Sequence, residues 1–272
     1  MRKPRYALFF LSWTALSTVA LAGPRFSFAF RAGSLLPSAA SFNGDVVGAY
    51  NDGLAASADM LSSMGLTTTL SEMAKIAGAA DWGGEVEMFL GPVLSVVAGG
   101  GYWRETRSAA LHGEGDFMGS ALAYDEGVTA KFSLLSLYAS VRANLYALEG
   151  RLRFYAGAGI GYYWCPTSTT TTMKIDVDGS SDVDSPYETD ARGSALLPHL
   201  NVGADVRLLG PLSAGIDIRY ALGKIATFKI TGSTDGAGVG EQFYYSDTAG
   251  NTKPFVFELN GFNIGLMLKL RL

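Results

Sequence analysis

The chain has 272 residues, 48% of them hydrophobic and only 17% charged, with a formal net charge of −4. A net acidic chain is a poor partner for nucleic acid, and a lone Cys165 excludes an internal disulfide framework. Apolar residues are plentiful, yet beyond the N-terminus no stretch is long enough for a helical membrane span, so the apolar character has to be carried by alternation.

Arg2, Lys3 and Arg5 precede an apolar run, Ala7 to Leu16, broken only by Ser12 and Thr14, and Ala20-Leu21-Ala22 offers a small-x-small cleavage site. The run is shorter than the roughly twenty residues of a membrane helix. An export signal is therefore expected over residues 1–22, followed by one domain over 23–272. Cleavage would take the net charge from −4 to −7, because three basic residues leave with the signal. No Cys follows the site, which argues against a lipid anchor.

Strands follow in order, each read from period-two alternation. The first spans about Arg25 to Leu35, with Phe26, Phe28, Phe30 and Ala32 on one face. Between Leu36 and Ala79 that period is lost, while Val46, Tyr50, Leu54, Ala58 and Leu61 recur at helical spacing, and Leu70 to Ile76 could add a further turn or two. Helix packed on or in the mouth of a barrel is expected there. The second strand, about Asp81 to Leu90, sets Trp82, Val86, Met88 and Leu90 against Glu85 and Glu87, and Gly91-Pro92 makes a tight turn. In the third, Val93 to Arg104, Ser95 favours Leu94, Val96, Ala98 and Tyr102 as the outward set. A long loop to about Ala130 should follow.

Strand four places Leu135, Leu137, Ala139, Val141, Ala143 and Leu145 opposite Ser136, Tyr138, Ser140, Arg142 and Asn144. Strand five, Arg151 to Trp164, carries Leu152, Phe154, Ala156, Ala158, Ile160, Tyr162 and Trp164 outward. A polar, Thr-rich acidic loop separates it from strand six, about Pro198 to Leu208, and the short turn Leu209-Gly210-Pro211 leads into strand seven, from Leu212 to Tyr220. The last strand, Phe262 to Leu272, alternates large apolar residues at even positions with Asn263, Gly265, Met267, Lys269 and Arg271. Phe255, Phe257 and Leu259 have the opposite parity, so a bulge is expected near Asn260-Gly261.

Eight strands with short turns at one end and long loops at the other describe an all-β fold: an eight-stranded antiparallel transmembrane β-barrel with short periplasmic turns, long extracellular loops and some helix in loop one. A soluble barrel would show Lys, Glu and Thr on its polar face. Here that face is mostly Gly, Ala, Ser and Asn, and the bulky residues are too many for an eight-stranded interior. Aromatic Phe26, Trp82, Tyr162, Trp164 and Tyr220 fall near strand ends, as interfacial girdles do. The expected location is the cell outer membrane, with membrane lipid as the obligate surroundings and a monomer as the expected state.

The inward charges cluster. Glu85, Glu87, Arg142, Arg153, Asp205, Arg207, Lys269 and Arg271 should lie in the periplasmic half of the lumen, with Asp217 and Arg219 nearer its middle, and a narrow lumen should force them to pair into a plug. Above them Ser136, Tyr138, Gly159, Gly161, Tyr163 and Gly203 would line an upper lumen with room and aromatic surface for a solute. Gly157, Gly159 and Gly161 do not form a dinucleotide loop, since strand alternation continues through them with no helix to follow. Asp176, Asp178, Asp182 and Asp184 do not match calcium-loop spacing, so no metal and no cofactor are expected. His112 and His199, the only histidines, have no local Ser or acid spacing that signals a catalytic triad.

Phe28-Ala29-Phe30-Arg31-Ala32-Gly33-Ser34, Phe154-Tyr155-Ala156-Gly157-Ala158-Gly159-Ile160 and Val202-Gly203-Ala204-Asp205 resemble the opening, mid-barrel and third-hairpin segments of OmpW-like outer-membrane proteins. That resemblance covers most strands but not the loops, and OmpA-like small barrels share much of the pattern. It implies an eight-stranded barrel that passes small hydrophobic molecules. The chain departs from the family in its long first loop and in Leu272, where an aromatic residue is usual. The functional expectation is a porin-like passive conduit for small hydrophobic solutes, plugged on the periplasmic side and releasing them sideways. The alternatives are an adhesin that binds a surface ligand through its loops, or a purely structural barrel.

Overall fold

The computed structural model describes residues 25–148, 151–183, 186–247 and 249–272. The expected export signal lies outside these. Eight strands form the wall: β1 (Arg25–Pro37), β2 (Ala79–Phe89), β3 (Leu94–Phe117), β4 (Ser120–Ala147), β5 (Leu152–Val177), β6 (Tyr187–Leu209), β7 (Leu212–Ala221) and β8 (Gly261–Arg271). Each pairs antiparallel with its sequence neighbour. Pairing of β8 with β1, from Ser27 opposite Arg271 to Pro37 opposite Gly261, closes the ring. Closure leaves no open edge at membrane depth, which lipid requires.

Through the membrane-spanning part of the wall, side chains alternate between the two faces. Phe28, Trp82, Leu137, Ile160, Leu200 and Leu266 are all about half or more exposed, while Glu87, Arg142, Arg153, Asn201, Asp205 and Lys269 are buried. An apolar outside around a charged inside is stable only in lipid, so the barrel crosses a membrane. The third strand faces as expected, with Leu94, Ala98 and Tyr102 outward and Ser95, Val97 and Trp103 inward.

Four expectations are corrected. First, the segments read as loops after the third and fifth strands are strand. β3 to β6 have 24, 28, 26 and 23 residues, roughly twice or more the 9–11 that a tilted span needs. The hairpins turn at Met118-Gly119 and Asp178-Gly179, all four residues having positive φ, as tight two-residue hairpin turns demand. The result is a tall wall on one side of the barrel, whereas β1, β2, β7 and β8 stop near the membrane surface. Second, Leu70 to Ile76 contains no helix. Thr67–Ser71 is a strand paired with Ala110 to Glu114 of β3, and residues 72–78 are irregular.

Third, no bulge breaks the approach to β8. Phe255, Phe257 and Leu259 are buried at 2%, 0% and 1%, so they share the inward parity of Met267 and Lys269, and the alternation runs unbroken. Fourth, Arg207 holds a register position opposite the inward Ser213 but lies exposed at the periplasmic rim, outside the buried ion pairs.

Among the described residues one long helix, α1 (Val47–Ser63), continues from a π-helical turn over Phe42–Val46. Its buried face, Val47, Leu54 and Leu61, joins Phe42, Trp103, Leu111, Phe132, Phe228, Phe255 and Phe257 in one apolar core at the extracellular mouth.

Candidate functional site

The lumen is built in three layers. The lowest is ionic. β2 contributes Glu85 and Glu87, β4 Arg142, β5 Arg153, β6 Asp205, β7 Asp217 and Arg219, and β8 Lys269 and Arg271. Alternation turns all of them inward. Arg142 grips Glu85 with both guanidinium nitrogens at 2.7 and 3.0 Å and reaches Asp217 at 3.2 Å. Arg153 bridges Glu87 at 2.7 Å and Asp205 at 2.5 Å. Lys269 lies within 3.3 to 3.6 Å of Asp205, Glu87 and Glu85, and Arg271 also pairs with Asp205.

Tyr155 sits in the middle of this layer. Its hydroxyl donates to Asp217 at 2.8 Å, and its ring is flanked by Arg142 at 4.4 Å, Lys269 at 5.0 Å and Arg153 at 5.1 Å. Arg219 packs on the Tyr138 ring at 3.5 Å and contacts Asp217 and Glu85. Of the ten charges expected to form the plug, the structure brings nine together. Arg207 makes no ion pair among the described residues.

The middle layer is small and polar. Arg31 and Asp81, which sequence reasoning did not single out, pair at 2.5 Å, and Asn263 bonds to both. The signal was available, since both are charged residues at inward-facing positions of strands. Beside them lies a cavity of about 20 Å³ lined by Asp81, Ser136, Tyr163, Arg219 and Asn263, room for about one water. Ser140 and His199, both buried, are 2.7 Å apart through Nε2, and His199 Nδ1 has no partner among the described residues. A nucleophile needs its base oriented by a third group, and this pair lies sealed inside the wall.

The expected room in the upper lumen is filled. Only Ser136 and Tyr163 of the six residues line the cavity. A β-carbon at Gly159 would collide with the Ala139 carbonyl oxygen, and one at Gly203 would collide with the Tyr155 hydroxyl. At Gly161 it would stand 2.9 Å from the Tyr163 ring. Tyr138 turns down instead, its hydroxyl 3.5 Å from Glu85. These glycines are small so that neighbouring strands and tyrosines can close over them, and the space they leave is occupied.

The top layer is apolar. Phe42 meets Phe132 edge-on with ring centres 4.8 Å apart, Phe228 meets Phe255 likewise at 4.8 Å, and Trp103 lies 6.0 Å from Phe257. The helix is held over this cup, and it carries a strap. Asn43 donates to the carbonyl of Ile76 at 2.9 Å and accepts from its amide at 2.7 Å; Asn51 does the same to Met73 at 3.2 and 2.7 Å. Residues 72–78 thus hydrogen-bond to the helix, and their Met73 and Ile76 side chains pack into the apolar core of the mouth. β3 pairs with β2 up to Trp103 and with Thr67–Ser71 from Ala110 onward. Between them, residues 104–109 have no strand partner on that edge among the described residues. The seam begins two residues above Tyr102, at the extracellular end of the apolar band.

No protein-family model matches the chain, and no curated protein does. Among solved structures it aligns with the outer membrane protein OprG from Pseudomonas aeruginosa, at 10% identity and a TM-score of 0.43, covering 90% of this chain and 95% of that one. A major outer membrane protein from Thermus thermophilus aligns at 13% identity and 0.41, covering 91% and 99%. CarO from Acinetobacter baumannii aligns at 13% and 0.36, covering 70% and 91%.

Among the described residues, buried ion pairs fill the lower lumen and packed aromatics the upper. A charged or polar solute meets a sealed ionic layer that could open only by separating buried charges, at about 3–5 kcal/mol for a single broken pair. The aromatic cup is different. Its lid is a helix held by apolar contact and, at Asp45, by a hydrogen bond from Tyr245 at 2.9 Å, and the wall beside that lid has a seam.

Proposed function

We propose that this chain is an outer-membrane barrel that passes small apolar molecules sideways, between the extracellular mouth and the surrounding lipid, without axial flow into the periplasm. The observation that carries the reading is the strap: residues 72–78 hydrogen-bond to Asn43 and Asn51 of the helical lid, and beside them residues 104–109 of β3, paired with β4 on one edge, have no strand partner on the other among the described residues. Lid and strap can lift together without breaking a strand ladder. An apolar solute taking their place over Phe132, Phe255 and Phe257 gains roughly 25 cal/mol per Å² buried, and the seam then offers it lipid. A polar solute gains nothing on that route. The role needs no cofactor, no catalysis and no second copy of the chain.

The test is uptake into proteoliposomes of an apolar fluorescent probe and of a sugar of similar size. Apolar uptake several-fold above protein-free liposomes, with sugar uptake at background, is expected. Equal uptake of both, or of neither, refutes the reading. The second reading, a surface interaction protein, is favoured by the length of β3 to β6, which extend far beyond the membrane. Absence of uptake by a folded barrel would move the assignment to that wall.

A further inference from the structure

The outer face of the tall wall changes character at a defined level. On β3 the apolar band ends at Tyr102, and the next outward residue is Arg104. On β4 it ends at Leu135, and Lys131 stands two outward positions above. On β6 it ends at Leu196, with Arg192 two outward positions above, and Lys229 of the added strand Phe228–Ser233 lies directly opposite Arg192 in register. All four cations are exposed, and none enters an ion pair among the described residues. Arg104, Ser133, Pro166 and Arg192 occupy one register row, which puts the two arginines about 14 Å apart across three strand spacings.

Above this row the wall is covered with hydroxyls. Thr106 and Ser108 on β3, Thr129 on β4 and Ser168, Thr170 and Thr172 on β5 face outward next to one another. Acidic residues enter mainly higher up, with Glu188, Asp125, Glu114 and Asp176; Asp190 alone shares the level of Lys131. From the membrane outward the order is apolar, cationic, hydroxyl. The other side of the barrel, where strands end near the membrane surface, offers no comparable wall.

We propose that this face docks a phosphorylated glycolipid of the outer leaflet. Its acyl chains lie on the apolar band, its phosphates on Arg104, Lys131, Arg192 and Lys229, and its sugars on the serine and threonine field. Juxtamembrane cations are attracted to anionic headgroups and lose that attraction within a Debye length, so their place just above the band is where they act. Arginine adds a planar fork that matches phosphate oxygens, and unpaired cations have no competing partner. The inference rests on the orientation of the barrel and is independent of the conduit, because it concerns the outside of the wall.

The full-length mature protein, purified in a neutral detergent, is titrated with lipid A carrying its phosphates, with dephosphorylated lipid A, with phosphatidylglycerol and with lipopolysaccharide bearing core sugars. Binding is read by native mass spectrometry. Wild type should bind phosphorylated lipid A at least about tenfold more tightly than either the dephosphorylated form or phosphatidylglycerol. The quadruple variant R104Q/K131Q/R192Q/K229Q should lose that preference. R104Q and R192Q alone, each about threefold weaker, stand in if the quadruple variant fails to fold, as judged by compact gel mobility before heating. T106A/T129A/T170A should weaken binding of lipopolysaccharide but not of lipid A. Equal binding of lipid A by wild type and folded variants overturns the cation site. Equal binding of phosphatidylglycerol and lipid A overturns the glycolipid assignment, and an unaltered threonine variant overturns the sugar contact.

Discussion

Arg142 and Glu85 meet inside the barrel in a two-pronged ion pair, at 2.7 and 3.0 Å, with both side chains withdrawn from water. Neither charge is tolerable alone at that depth. The pair sits at the centre of a layer whose remaining carboxylates, Glu87, Asp205 and Asp217, are each matched by at least one cation. Breaking it by Glu85→Gln leaves Arg142 short of its main partner and should destabilise the barrel by about 3–5 kcal/mol. Arg207→Gln, at the exposed rim, should change stability by less than about 0.5 kcal/mol. Urea unfolding in lipid vesicles measures both. Equal effects at the two positions would mean that the charges act by overall balance and not through contact.

The second prediction concerns Gly161 and Tyr163. The Tyr163 ring lies back over Gly161, so that a β-carbon there would stand 2.9 Å from it. Gly161→Ala should cost about 1–3 kcal/mol by overpacking. Tyr163→Leu removes the ring and should relieve part of that cost, giving a coupling energy of about 0.5–3 kcal/mol in a double-mutant cycle. Strict additivity would show that the two do not touch. Gly159 offers no such relief, because its obstacle is the Ala139 backbone, and bulky substitution there should prevent assembly.

Why part of this was legible in the sequence and part was not follows from what lipid enforces. Between Phe26 and Phe30, or Leu152 and Trp164, one face meets hydrocarbon and the other a charged lumen, so the period of two stands out. Above the membrane both faces of the wall are mixed. Thr169 to Thr172 hides the alternation, and Asp178-Gly179, a hairpin signal, reads equally as part of an acidic loop. The opposite parity of Phe255, Phe257 and Leu259 suggests a bulge because, in sequence, an aromatic turned into an apolar mouth looks like one turned to lipid. The glycines were read as space because sequence does not show which tyrosine lies over which glycine. Arg207 keeps its inward register position opposite Ser213, but that position is at the rim, where water and not a carboxylate meets the guanidinium.

The third prediction follows from the two seals. In planar bilayers the intact barrel should show no steady ion conductance. Deleting residues 42–63 removes the helix and its π-helical turn but leaves the ionic layer in place, so a correctly assembled deletion variant should also remain silent to ions. If the helix were the only barrier, its removal would open a channel that single-channel recording detects at once.

The last prediction isolates the lid. Asn43 and Asn51 each satisfy one amide and one carbonyl of the strap, at Ile76 and Met73, whose side chains are 2% exposed. Truncating either asparagine leaves two backbone groups without a partner, at about 1–3 kcal/mol per unsatisfied buried group. The barrel ladder does not pass through these bonds, so the wall should stay intact. The double variant N43A/N51A should therefore keep its resistance to urea in the wall strands while the amides of Met73 and Ile76 exchange with solvent at least about tenfold faster. If lid and strap gate the seam, apolar probe uptake should rise in the same variant, with no rise for a sugar. Faster amide exchange with unchanged uptake would show that the strap moves without gating anything, and the conduit would lose its door.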